Sequence, residues 1–321
     1  MQRPYVFITR KLPDETLVEL NQIAEVNMWP YEEEAVPRDV LLAEASKADG
    51  LLTMLSDNID AELLQQASSL KVVGNLAVGY DNIDIKLASN LGITVCNTPD
   101  VLTDSTADLA FSLILATARR IVESANYVKE GKWNSWGPLL LAGADVHHKT
   151  IGIVGMGRIG EAVARRAKGF DMKILYHNRN RKPEAELSLD AEYKDFHELL
   201  KQSDFVVSLA PLTAETKGMF NREAFQSMKD SAIFINAGRG ASVDEDALVE
   251  ALENKRIAGA GLDVFEKEPI DPKHPLLSMK QVVTLPHIGS ASVETRMKMA
   301  ALACRNIANI LNGKEPETPV K

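Results

Sequence analysis

Three short stretches of this chain carry residues whose types suit proton transfer and anion binding. Pro286-His-Ile-Gly-Ser290 follows an apolar run at 282–285 and sets His287 at a strand end between a proline and a glycine. Of the six histidines only His287 has that setting; His147, His148, His177, His197 and His274 read as loop or helix-surface residues. An imidazole at such a place suits general acid–base chemistry near neutral pH. Gly261-Leu-Asp-Val-Phe-Glu-Lys-Glu-Pro269 sets Asp263, Glu266 and Glu268 just after another apolar run, although acids in loops are commonly just solvated. Asn236-Ala-Gly-Arg-Gly240 offers Arg239, whose planar fork matches a carboxylate. Taken alone, a surface arginine in a turn is an equal reading. What the three share is position, since open α/β sheets bind ligands at the C-terminal ends of their strands.

A fourth stretch, residues 150–181, supplies the frame. The apolar run Ile151-Gly-Ile-Val154 reads as a short buried strand, and Gly155, Gly157 and Gly160 follow it. A helical pattern then runs through Ile159, Val163, Ala164 and Ala167 to a second strand, Lys173-Ile-Leu-Tyr176. Strand, G-x-G-x-x-G, helix, strand is the context a dinucleotide-binding turn requires. Gly155 makes the tight turn, Gly157 lets the backbone approach a pyrophosphate, and Gly160 lets the helix sit close on the strand. The helix N-terminus then faces the phosphates with its N–H groups.

The surrounding elements must position these groups. Residues 1–98 alternate candidate strands (Tyr5–Ile8, Gly50–Thr53, Val72–Asn75, Thr94–Cys96) with helical patterns at 15–24, 38–45, 60–67 and 84–89. That alternation predicts a parallel sheet of its own. Asn97-Thr-Pro99 breaks it, and one long helix is expected from Ser105 to about Lys129, apolar on so many sides that it must be buried in its domain or against another subunit. A loop holding Trp133 and Trp136 leads into the glycine turn. Beyond it, strands are expected at 205–209, 232–235, 258–262 and 282–285, with helices at 222–227 and 244–253. A last amphipathic helix runs from Ser292 to about Leu311 and can return to the first domain.

With 321 residues the chain can build two domains, each with its own core. A net charge of −9 argues against nucleic acid as main partner, because phosphate backbones call for a basic surface. Cys96 and Cys304 lie in apolar or helical surroundings without metal-ligand spacing, so reduced structural thiols and a cytoplasmic setting are expected. The start, MQRPYVFITRKL, is too charged for a signal peptide, and no apolar run has membrane-spanning length.

Taken together, the motifs Val78-Gly-Tyr-Asp-Asn-Ile-Asp84, Gly155-Met-Gly-Arg-Ile-Gly160, Asn236-Ala-Gly-Arg-Gly240, Gly261-Leu-Asp-Val-Phe265, Glu268-Pro269 and Pro286-His-Ile-Gly-Ser290 give the chain a resemblance over nearly its whole length. It resembles the D-isomer-specific 2-hydroxyacid dehydrogenases, and within them the glyoxylate and hydroxypyruvate reductases. Thr53-Met-Leu-Ser-Asp57, Lys132-Trp-Asn-Ser-Trp-Gly-Pro138 and His287-Ile-Gly-Ser-Ala291 carry the second likeness. The resemblance implies an α/β protein of two doubly wound parallel sheets. A Rossmann coenzyme domain, residues 99–288, would be inserted in a flavodoxin-like substrate domain made of residues 1–98 and 289–321.

It also implies a division of labour. His287 would be the general acid, Glu268 would hold its imidazole and favour the charged form, and Arg239 would bind the substrate carboxylate and carbonyl oxygen. The N–H groups of Val78 and Gly79 would clasp the carboxylate, with Leu55 and Ser290 alongside; Trp136 would reach across a homodimer to shape specificity. Core packing of Trp136 is the competing reading. The cofactor would touch Gly155, Gly157, Arg158, Ile159, Gly160, Pro211, Thr216, Ala237 and Gly289, with Asp263 close to its ring.

The chain departs from the family pattern twice. Leu209 stands where many members carry histidine before Pro-Leu-Thr. At the end of the second strand, His177-Asn-Arg-Asn-Arg181 has no acid for a ribose 2′-hydroxyl. Asn178, Arg179 and Arg181 can instead donate to a 2′-phosphate, so NADP(H) is the expected cofactor, with NAD(H) possible. The expected protein is a cytoplasmic, homodimeric reductase of small 2-oxoacids, using no metal and binding neither nucleic acid nor membrane. A reductase of 2-ketogluconate or another bulkier 2-ketoacid is the alternative within the family; a phosphoglycerate dehydrogenase is disfavoured because no regulatory domain follows Lys321. From another class, a dinucleotide-sensing corepressor shares the motifs but needs recruitment segments that this sequence lacks.

Overall fold

A computed structural model describes residues 3–320. The ends of the expected substrate domain, Met1, Gln2 and Lys321, lie outside the described residues. The chain forms two units, one of residues 1–102 and 291–321 and one of Thr103–Ser290.

The first unit is built on five strands: β1 (Tyr5–Ile8), β2 (Glu25–Met28), β3 (Gly50–Thr53), β4 (Val72–Asn75) and β5 (Thr94–Cys96). All pair in parallel, in the order β2-β1-β3-β4-β5. That order is the flavodoxin-like one. The central strands β3 and β4 are buried at every position, so apolar runs revealed them. β2 escaped the sequence reading because it is an edge strand with alternate positions exposed and no apolar run. The pattern expected as a helix at 15–24 splits into a short 3₁₀ turn, Asp14–Thr16, and a helix, Val18–Ile23. The helix Val293–Leu311 packs on β3 and β4 and brings the C-terminal segment back beside β5. Cys96 and Cys304 are free and buried, and burial pushes both thiols up to about 12.

The second unit has seven strands: β6 (Thr150–Val154), β7 (Lys173–His177), β8 (Ala191–Tyr193), β9 (Phe205–Ser208), β10 (Ile233–Asn236), β11 (Gly259–Leu262) and β12 (Val282–Thr284). Their order is β12-β11-β10-β9-β6-β7-β8, again parallel throughout. The strand order reverses at β6, as in the Rossmann fold, and the glycine turn leaves β6 at that point. β8 and the helices Pro183–Leu189 and Phe196–Gln202 had no strong apolar signal.

The single long helix expected from Ser105 is two helices, Thr103–Ala118 and Ile121–Lys129, with Arg120 left-handed between them (φ +50°). The cause is a distant segment. Ala144 N–H donates to Ala118 O at 2.8 Å, occupying the acceptor that would otherwise continue the helical ladder. The first helix is buried against β10, β11 and the helix Arg158–Lys168. None of the second is buried in the single chain, so of the two expected settings burial within its own domain does not hold for that part.

Candidate active site

His287 follows β12 in a backbone conformation unusual for a non-glycine residue, φ +54°. Such conformations cost about 1–3 kcal/mol and persist where surroundings enforce them. Asp263, just past β11, does the enforcing. Its carbonyl accepts from His287 N–H at 2.9 Å, and its carboxylate oxygens accept from Ile288 N–H at 2.7 Å and Gly289 N–H at 2.8 Å. Three successive N–H groups are thus gripped by one buried residue. Burial raises the Asp263 carboxyl above the ordinary value, outweighing these hydrogen bonds and the nearby His287 charge. Sequence reading placed Asp263 beside the cofactor; the structure gives it the added work of holding the histidine loop.

The imidazole Nδ1 of His287 meets Glu268 Oε2 at 2.7 Å, and the other carboxylate oxygen accepts from Phe265 N–H at 3.0 Å. Burial works to raise the Glu268 carboxyl. The His287 hydrogen bond and charge, the Phe265 N–H and the Arg239 charge together outweigh it and hold the group below its usual range. With Nδ1 tied to a carboxylate, Nε2 is the nitrogen left for proton transfer.

Arg239 leaves the turn after β10, where the chain is cross-braced. Its carbonyl accepts from Asn236 Nδ2 at 3.0 Å and Ser242 Oγ at 2.7 Å, while Asn236 Oδ1 accepts from Gly238 N–H at 3.1 Å. The guanidinium donates to Gly238 O at 3.0 Å. Asn236 and Ser242 were not singled out in the sequence, although the motif itself contains Asn236.

The glycine turn has the shape its sequence implied. Gly155 is left-handed (φ +106°), and its N–H donates to His177 O at 3.0 Å. A Cβ on Gly160 would run into Gly155 O, so the helix sits directly on the turn. At Gly157 a Cβ would meet nothing within 4 Å, so that position faces open space. Asn178 Oδ1 accepts from Met156 N–H at 2.8 Å and braces the turn. Arg179 is exposed. Arg181, expected beside it as a phosphate donor, is instead committed to Glu186 through two hydrogen bonds of 2.9 and 2.6 Å, and lies over Tyr193. Thr216 closes the loop that Pro211 opens, its Oγ1 donating to Pro211 O at 2.7 Å. Ala237 N–H donates to Ser208 O at 3.2 Å, joining the ends of β9 and β10. His177, read as a loop residue, ends β7 with Nδ1 at 3.0 Å from Lys194 O; His274 pairs with Glu245 at 3.3 Å.

In the first unit Leu55 follows β3, and Val78 and Gly79 follow β4. Neither Val78 N–H nor Gly79 N–H has an acceptor among the described residues. Trp136 is 78% exposed and Trp133 58%, which removes the core reading for the single chain. Among the described residues no helix is long and apolar enough to cross a membrane.

Residues 111–289 match the family model described as D-isomer specific 2-hydroxyacid dehydrogenase, NAD binding domain. A glyoxylate reductase of Thermococcus gammatolerans is 51% identical over 322 residues, covering 99% of this chain and 96% of that protein. The crystal structure of a protein from Thermus thermophilus is similar with a TM-score of 0.92 at 44% identity, over 99% of this chain and 100% of that one. The NADPH-dependent glyoxylate/hydroxypyruvate reductase of Sinorhizobium meliloti, in complex with NADP and malonate, is similar with a TM-score of 0.87 at 35% identity, over 99% and 97%.

Proposed function

Because this chain belongs to the D-isomer specific 2-hydroxyacid dehydrogenase family, and is an NAD(P)-dependent dehydrogenase of small 2-oxoacids, we propose that it reduces glyoxylate and hydroxypyruvate with NADPH. The observation that carries the reading is the His287–Glu268 pair at 2.7 Å, held on a left-handed residue by Asp263. The glycine turn fits a dinucleotide: the open position at Gly157 and the N-terminus of the helix that starts at Arg158 suit a pyrophosphate. A nicotinamide dinucleotide held at this turn by its pyrophosphate would supply the hydride that reduces the keto carbon.

Negative charge then builds on the carbonyl oxygen, and His287 Nε2 delivers the proton that meets it. Glu268 holds the ring through Nδ1, which leaves Nε2 for the substrate. Arg239 binds the substrate carboxylate through its planar fork and fixes which face is presented. The N–H groups of Val78 and Gly79, without an acceptor among the described residues and with Leu55 just past the neighbouring strand β3, suit a carboxylate oxygen, and Ser290 adds a hydroxyl after the histidine loop. Pro211, Thr216, Ala237 and Gly289 would line the cofactor with Arg158, and Arg179 would supply the charge for a 2′-phosphate.

Exposure of Ile121, Val122, Val128, Trp133, Trp136 and Leu139 supports a homodimer that covers this apolar stretch. The two free, buried thiols agree with a cytoplasmic setting. The test is loss of NADPH absorbance with a panel of 2-oxoacids, run with the unmodified enzyme and with His287→Ala. Turnover of glyoxylate and hydroxypyruvate is expected, falling by about 10²–10⁴-fold in the variant with little change in NADPH KM. A variant with near-normal kcat would remove His287 from the chemistry.

A further inference from the structure

The two N–H groups of Val78 and Gly79 are aimed by a residue outside their own motif. In a trans peptide the N–H points opposite to the carbonyl of the preceding residue. Holding the Ala77 carbonyl therefore aims Val78 N–H, and holding the Val78 carbonyl aims Gly79 N–H. Both carbonyls are held from the end of β5. Thr98 N–H donates to Ala77 O at 2.8 Å, and Asn97 Nδ2 donates to Val78 O at 2.8 Å. The next carbonyl, Gly79 O, accepts from Asn75 Nδ2 at 2.9 Å. Three successive carbonyls are occupied, while the N–H groups of Val78 and Gly79 have no acceptor among the described residues.

Asn97 is itself held by the C-terminal segment. Its N–H donates to Thr318 O at 3.2 Å, and its carbonyl accepts from Thr318 Oγ1 at 2.6 Å. Thr318 is in turn fixed by Asn306, fully buried on the last helix, which accepts from Thr318 N–H at 3.1 Å and donates to its Oγ1 at 2.8 Å. An amide side chain is what this position calls for. An aspartate would set an acceptor against the Val78 carbonyl, and an alanine would leave that carbonyl without its donor.

We propose that Asn97 is a positioning residue for substrate, one that aims the Gly79 N–H at the carboxylate of the 2-oxoacid, with Thr318 and Asn306 as its anchor. This rests on the reading of Val78 and Gly79 as carboxylate donors. The test compares the unmodified enzyme with Asn97→Asp and Asn97→Ala in NADPH-dependent reduction of glyoxylate, and of glyoxal, which has no carboxylate. Inhibition by oxalate and the melting temperature are measured in parallel.

Loss of one hydrogen bond to a charged group predicts a fall of about 10- to 150-fold in kcat/KM for glyoxylate, mostly in KM, with a matching rise in the oxalate inhibition constant. NADPH KM and the rate with glyoxal are expected to hold. Unchanged glyoxylate KM in folded variants overturns the role of Asn97. An unmodified enzyme that favours glyoxal over glyoxylate instead overturns the underlying reading of the two N–H groups. Should the Asn97 variants not fold, Thr318→Val removes one anchor and leaves Asn97 in place. A smaller rise in glyoxylate KM supports the proposal, and an unchanged KM overturns it.

Discussion

Replacing Asp263 with asparagine tests whether His287 works because its backbone is held under strain. Asparagine has nearly the same shape but puts an NH2 group where one carboxylate oxygen accepts from Ile288 or Gly289 N–H. Removing a hydrogen bond to a charged group costs about 1.5–3 kcal/mol. That is the same size as the roughly 1–3 kcal/mol stored in a left-handed non-glycine residue, so the loop no longer gains by keeping His287 in place. The population with the imidazole on Glu268 is expected to fall by about 10- to 150-fold, and kcat with it. The whole contribution of a general acid, about 10²–10⁴-fold, sets the ceiling.

Stability should move much less, because two effects oppose. Burial raises the Asp263 carboxyl on folding, so ionising it in the folded state carries a cost at any pH above its folded value, relieved as pH falls through that value. Asparagine removes this cost at neutral pH while losing the hydrogen bond. The assay is steady-state NADPH oxidation with glyoxylate, alongside thermal unfolding. A large loss of kcat with NADPH KM and melting temperature nearly unchanged is expected. An unchanged kcat would refute the reasoning, since the clamp would then be idle.

Arg179→Ala should erode the preference for NADPH over NADH, mainly through NADPH KM, by up to about 10- to 150-fold. Arg181→Ala, whose guanidinium is committed to Glu186, should leave that ratio alone; equal losses in both would restore Arg181 to the phosphate site. The depressed Glu268 carboxyl contributes stability that is fully present above the unfolded value of about 4.3 and is lost as pH falls through the folded one. Melting temperature measured downward from neutral pH should therefore fall less steeply in Glu268→Gln than in the unmodified enzyme below that value, and parallel curves would count against the pair. Trp136→Ala should shift the ranking of 2-oxoacids while sparing cofactor KM, and a variant that only melts earlier would favour a packing role.

What the sequence determined by itself was local. The glycine turn was legible because its geometry is set within a few residues: Gly155 must turn, and Gly160 must let the helix approach. Buried strands such as β3, β9 and β10 showed as continuous apolar runs, since both faces of a parallel sheet are covered. His287, Glu268 and Arg239 stood out because each follows such a run. The tertiary structure decided whatever depended on a partner distant in the chain. Edge strand β2 has half its positions in solvent, and so leaves no apolar signature. The helix after Ser105 breaks because Ala144, well beyond it in the chain, takes the Ala118 carbonyl. Asp263 reaches the His287 loop only because β11 and β12 lie side by side. Asn97 can aim a peptide after β4 only because Thr318, far along the chain, returns to hold it. Periodicity records which face of an element is covered, whereas a hydrogen bond between distant residues exists only when folding brings donor and acceptor together.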